Sequence, residues 1–182
     1  MTDILRNTSY PMGLLWTDAV GPGTSARVGG TAPAFAAFQG GVYANRMDKG
    51  SEIHFSVQVP HSFAPGSELH FHVHWCVLSG SVASETIVWG LEWYHSGIGS
   101  TFVQGASADE ISVPLAGASD HGKHQLTEFT AVNPANFGIS GIAVCRLYRK
   151  NAGTSAANPF YIGCDAHYQL GNFGTVSELG PA

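Results

Sequence analysis

Three histidines at alternate positions, His70, His72 and His74, and an acid–imidazole pair at the same spacing, Asp165 and His167, are the residues best suited to chemistry in this 182-residue chain. In an extended segment, side chains at i and i+2 share one face, about 7 Å apart. Neutral imidazoles donate lone pairs and a carboxylate completes or orients the shell, so such a set could hold zinc, iron or manganese. The candidate metal ligands are His72, His74, His167 and Asp165. The same groups could instead hydrogen-bond one another across strands, as in a polar surface between subunits. The second reading is the one expected, with no metal, no other cofactor and no catalytic residue. The interface candidates are then His54, His70, His72, His74, Glu92, Asp165, His167 and Gln169.

Other chemistry is thin. The chain has no GxSxG elbow, and no P-loop or dinucleotide fingerprint. Cys76, Cys145 and Cys164 make an odd count without a CxxC pair, so they read as small buried thiols. His95, His121 and His124 stand in or beside loop-like stretches and read as solvated.

The elements that must position the polar residues follow from period-two patterning. In Leu69–Val77, Leu69, Phe71, Val73, Trp75 and Val77 fall on one side and the imidazoles on the other, which only a strand achieves. Ile53, Phe55, Val57 and Val59 make a second amphipathic strand, ended by Pro60. This strand and the histidine strand are expected to pair as a hairpin-like unit, though the loop from His61 to Ser67 also allows a switch between sheets. Ile87, Trp89, Leu91 and Trp93 mark a third strand with both tryptophans inward. Ile111–Leu115 reads as a short edge strand because of Pro114. His124–Val132, Gly141–Arg149 and Phe160–Leu170 complete the set, with a turn at Asn133-Pro134-Ala135-Asn136 and a short polar tail from Gly171. About seven or eight strands with no helical pattern predict an all-β fold, an antiparallel β-sandwich of jelly-roll-like type.

Residues 1–45 show no sustained periodicity and read as an irregular N-terminal arm, with 46–182 as the sandwich domain. Leu14, Leu15 and Trp16, and then Phe35 and Phe38, are its candidate anchors; Gly21-Pro22-Gly23 breaks it. A long loop of this kind is read either as an arm lying across a neighbouring subunit or as a flexible, poorly packed segment.

Hydrophobic residues make up 44% and charged residues 12%, about half the usual charged share, so much of the surface is expected to be covered, most simply by other subunits. The net charge of −5 with 8 Lys+Arg lacks the dense positive charge that phosphate contacts need, so nucleic acid is not an expected partner. No stretch has the length of a membrane span. The start, Met1-Thr2-Asp3-Ile4-Leu5-Arg6, lacks an apolar signal region, which suggests synthesis in a cytosol-like compartment.

His72-Val73-His74 fits the first histidine pair of the cupin pattern, but Glu85 and Glu92 stand too far on, and the second cupin motif has no counterpart. A fuller set of motifs resembles a group of tailed-bacteriophage virion proteins. In order along residues 16–170, these are Trp16-Thr17-Asp18, Val59-Pro60-His61-Ser62-Phe63, Gly66-Ser67, Val73-His74-Trp75, Trp89-Gly90-Leu91-Glu92-Trp93, Cys145-Arg146-Leu147-Tyr148-Arg149 and Asp165-Ala166-His167-Tyr168-Gln169. The resemblance implies a capsid cement (decoration) protein. Such a protein is a homotrimer seated on the head exterior at capsomer junctions, with the major capsid protein as partner and no enzymatic activity. It would reside in the virion after synthesis in the host cytoplasm. The alternatives are a cupin-like metal-dependent enzyme using His72 and His74, and a tail or baseplate component.

Overall fold

A computed structural model describes residues 15–20, 27–105, 108–133 and 138–171. The readings made above for Met1–Arg6, Leu14, Gly21–Gly23, Pro134–Asn136 and the tail beyond Gly171 lie outside the described residues. The described strands are β1 (Trp16–Val20), β2 (Arg27–Val28), β3 (Ala34–Gln39), β4 (Val42–Arg46), β5 (Glu52–Gln58), β6 (His70–Cys76), β7 (Ala83–Ser96), β8 (Val103–Gln104), β9 (Asp109–Ala116), β10 (Gln125–Glu128), β11 (Ile142–Arg149) and β12 (Phe160–Gln169).

They form two six-stranded antiparallel sheets. The first runs β10-β6-β12-β4-β3, with β1 lying beyond β4 along the same side of β12. The second runs β2-β5-β11-β7-β8, with β9 along β7. Taking β4, β5, β6, β7, β9, β10, β11 and β12 in turn, the chain switches sheets at every step except β7 to β9. The pairings β4–β12–β6–β10 and β5–β11–β7–β9 are those of a jelly roll. The all-β, jelly-roll expectation therefore holds. The loop after β5 carries a switch between sheets rather than a hairpin. Among the described residues no helix is long and apolar enough to cross a membrane.

The core lies between the sheets and is the one the alternation predicts. Leu69, Phe71, Val73, Trp75 and Val77 of the first sheet meet Ile53, Phe55, Val57, Ile87, Trp89 and Leu91 of the second. Trp75 and Trp89 pack with ring centroids 6.0 Å apart, and Trp75 Nε1 donates to Thr127 Oγ1 at 2.9 Å. Full burial of each such side chain contributes about 2–3 kcal/mol. All three cysteines are free and buried, and burial pushes the Cys145 thiol up to about 12. Arg149 is also buried; it donates to the Met47 carbonyl (2.9 Å), Asn158 Oδ1 (2.5 Å) and the Ser155 carbonyl (3.0 Å), which satisfies a charge inside the fold.

The irregular reading of residues 1–45 is corrected. Their described part is mostly strand: β1 pairs with β12 and the β3–β4 hairpin extends the first sheet. Leu15, Trp16 and Phe35 are exposed rather than anchored in the core, whereas Phe38 packs on Phe160 at 5.4 Å. Regular structure thus begins well before Glu52.

Candidate functional site

The outer face of the first sheet gathers most of the titratable residues singled out above. Directly paired residues in an antiparallel ladder point to the same side. His72 therefore stands between Asp165 on β12 and Glu128 on β10, and His70 beside His167, which in turn faces Asp18 on β1. Trp16 faces Gln169, Val20 faces Asp165, and Leu126 faces His74.

Hydrogen bonds order this row. His167 Nε2 lies 2.9 Å from Asp18 Oδ1, and His70 Nδ1 donates to Glu128 Oε1 at 2.8 Å. His74 Nε2 donates to Asp165 Oδ2 at 3.2 Å, and its Nδ1 meets His124 Nε2 at 2.8 Å. With Asp165 ionised and His74 neutral, that Nδ1 accepts and His124 donates. Trp16 packs edge-on against the His70 ring at 5.1 Å. The His70 bond holds the Glu128 carboxyl below its usual range.

The centre of the row is the driest part. His72 is only 4% exposed, and its ring lies 4.0 Å from that of His167. Burial pushes the His72 imidazole below its ordinary value, and the neighbouring His167 adds to the effect. Nδ1 of His72 and Oδ1 of Asp165 are buried without a hydrogen-bond partner and face each other at 3.5 Å. One donor atom from each of His72, Asp165 and His167 lies within 4.8 Å of the others, so these three could hold a metal ion. His74 is not in that set; it acts on Asp165 from the side. A depression of about 340 Å³ opens beside them, lined by Trp16, His70, His72, Glu128 and His167.

Two interface candidates lie elsewhere. His54 and Glu92 belong to β5 and β7 and flank Arg146 on the outer face of the second sheet, across the core from His72. There Arg146 donates to Glu52 Oε2 at 2.5 Å and to Glu92 Oε2 at 2.9 Å. The single polar ladder expected from sequence is thus two separate faces. Two participants were missed. Glu128 sits in a short strand with weak alternation, and Asp18 in a segment read as irregular. The solvated reading holds for His124, which is exposed and bonded to His74, and is corrected for His95, which is buried at the end of β7.

Trp93 lies at the margin of the core rather than within it. With His95, Gln104, Asp109 and Thr130 it lines a cleft of about 470 Å³.

No family model matches the chain, and no curated protein does. Among solved structures, Xyl-CBM35 in complex with a glucuronic acid-containing disaccharide is similar at 12% identity and a TM-score of 0.41, over 86% of this chain and 100% of that one. A Paenibacillus sp. cycloisomaltooligosaccharide glucanotransferase complexed with cycloisomaltoheptaose is similar at 16% identity and a TM-score of 0.40. The match covers 89% of this chain and spans only 19% of the glucanotransferase. A structure of infectious bursal disease virus, Gt strain, matches at 16% identity and a TM-score of 0.37, over 84% of this chain and 34% of that one. These likenesses are distant and assign no activity.

Proposed function

We propose that this chain is a bacteriophage virion structural protein of the cement type, a homotrimer that docks on the head exterior and stabilises capsomer junctions. The observation that carries the reading is the meeting of three motif stretches on one face. Trp16 and Asp18 of the first motif touch His70 on the strand that carries Val73-His74-Trp75, and His167 of the last motif. Motifs far apart in sequence that resemble virion proteins thus build a single surface.

That surface suits docking better than solvent. Exposed apolar residues flank a half-buried polar row: Val20 is 80% exposed, Trp16 50% and Leu126 48%. An apolar flank beside a polar row that is largely hydrogen-bonded within itself is the usual make-up of a protein–protein contact. About 800 Å² per partner suffices for stable attachment, and three-fold repetition adds avidity. Each docked copy would oppose the pressure of packaged DNA by favouring the assembled shell.

The test is association. Sedimentation velocity at micromolar concentration is expected to give a trimer, and the trimer to bind heads that lack it. A monomer with no affinity for heads would overturn the reading.

A further inference from the structure

We propose that His72, Asp165 and His167 bind a divalent transition-metal ion of the zinc class, on the outer face of the first sheet. The inference stands apart from the virion reading and does not depend on it.

Two independent observations support it. The first is geometry. Donor atoms of the three residues lie within 4.8 Å of one another. His72 Nδ1 is 3.5 Å from Asp165 Oδ1, and His167 Nε2 is 3.5 Å from Asp165 Oδ2. At usual zinc bond lengths, ligands in a tetrahedral shell stand roughly 3.3–3.4 Å apart. These separations, one to each carboxylate oxygen, are close to the ligand–ligand distances of such a shell, and too long for good hydrogen bonds.

The second is unsatisfied burial. His72 Nδ1 and Asp165 Oδ1 are buried and lack a hydrogen-bond partner. His72 Nε2 lies 3.5 Å from Glu128 Oε2. With its proton on Nε2, His72 presents the Nδ1 lone pair to a carboxylate oxygen. Two acceptors facing each other in a dry site are costly unless a cation lies between them.

The surroundings fit a ligand set. β12 supplies Asp165 and His167 at i and i+2, and β6 supplies His72 directly across the ladder. His74 donates to Asp165 Oδ2 and orients the carboxylate, as outer-shell partners of metal ligands do. Asp18, 2.9 Å from His167 Nε2 and about half exposed, can become the fourth donor when the ion replaces the proton on that nitrogen. The depression beside Trp16 and His70 gives the ion a way in. Imidazole with carboxylate suits zinc or iron(II) rather than calcium or magnesium.

The experiment uses the full chain without a histidine tag, stripped with chelator and titrated with Zn²⁺ by calorimetry. The expected result is stoichiometric uptake with proton release, a raised melting temperature, and visible absorption of a four-coordinate site when Co²⁺ replaces Zn²⁺. His167→Ala, at a half-exposed side chain, and the isosteric Asp165→Asn are each expected to weaken binding at least about 10-fold. His54→Ala, on the opposite sheet, leaves it unchanged. No uptake at micromolar Zn²⁺, or equal affinity in His167→Ala and Asp165→Asn, overturns the proposal.

Discussion

Asp18 Oδ1 and His167 Nε2 meet at 2.9 Å, and this contact ties the first described strand to the last. Beyond its backbone ladder with β12 and the Trp16–His70 ring contact, β1 has few other holds. Trp16, Asp18 and Val20 point outward, and only Ala19 packs on the core. Asp18→Ala should therefore cost about 0.5–1.5 kcal/mol, the worth of one hydrogen bond. Amide exchange should accelerate in β1 and not in β5 or β11. Uniform acceleration across the sandwich would show that β1 is held in some other way.

Gly90 lies directly opposite Tyr148 in the second sheet. A Cβ at position 90 would sit 2.1 Å from Tyr148 Cζ, so the ring fills the space that the glycine leaves. Gly90→Ala is expected to destabilise by about 1–3 kcal/mol through overpacking. The cost should shrink markedly when Tyr148→Ala is also present, because the two sites share one space. Urea midpoints of the four proteins measure this coupling, and additive effects would refute the contact.

The acid limit of stability should be felt on the second sheet. The Arg146 guanidinium holds the Glu52 carboxyl below its ordinary value of 4.5, aided by the Gly30 amide at 2.6 Å. A carboxyl whose value is lower in the folded than in the unfolded chain stabilises the fold above its unfolded value. That contribution is lost as pH falls through the folded value. The gap in urea midpoint between wild type and Glu52→Gln should be full near neutrality and close below 4.5. A gap constant with pH would contradict the pairing.

Val20 and Leu126 flank the imidazole row and are exposed in the single chain. Replacing both by lysine should change folding stability by no more than about 0.5 kcal/mol each, as surface substitutions do. The same change should raise the dissociation constant of the proposed trimer at least about 10-fold. Sedimentation equilibrium beside thermal melts separates the two effects. An intact oligomer would move the contact to another face.

The sequence spoke most clearly where strands are long and one face is greasy. Residues 69–77 and 87–93 show this, and their inward and outward sides are those the alternation predicts. It was silent on β1, β3 and β4. Their outward positions carry Trp16, Val20, Phe35, Val42 and Tyr43, so apolar side chains on the exposed side blur the two-residue period. Alternation also says which side of a strand a residue occupies, but not which sheet the strand joins. His54, Glu92 and His72 look alike in sequence, yet the switch of sheets between β5 and β6 puts the core between them. Glu128 and Asp18 enter the imidazole row through pairings that no local pattern encodes.

The most direct test of the docking role is electron cryomicroscopy of intact particles whose genome encodes this chain. Three copies around each occupied junction on the head exterior are expected, with Trp16, Val20 and Leu126 in contact with a neighbour. The chain found on the tail, or with that face open to solvent on the head, would contradict it.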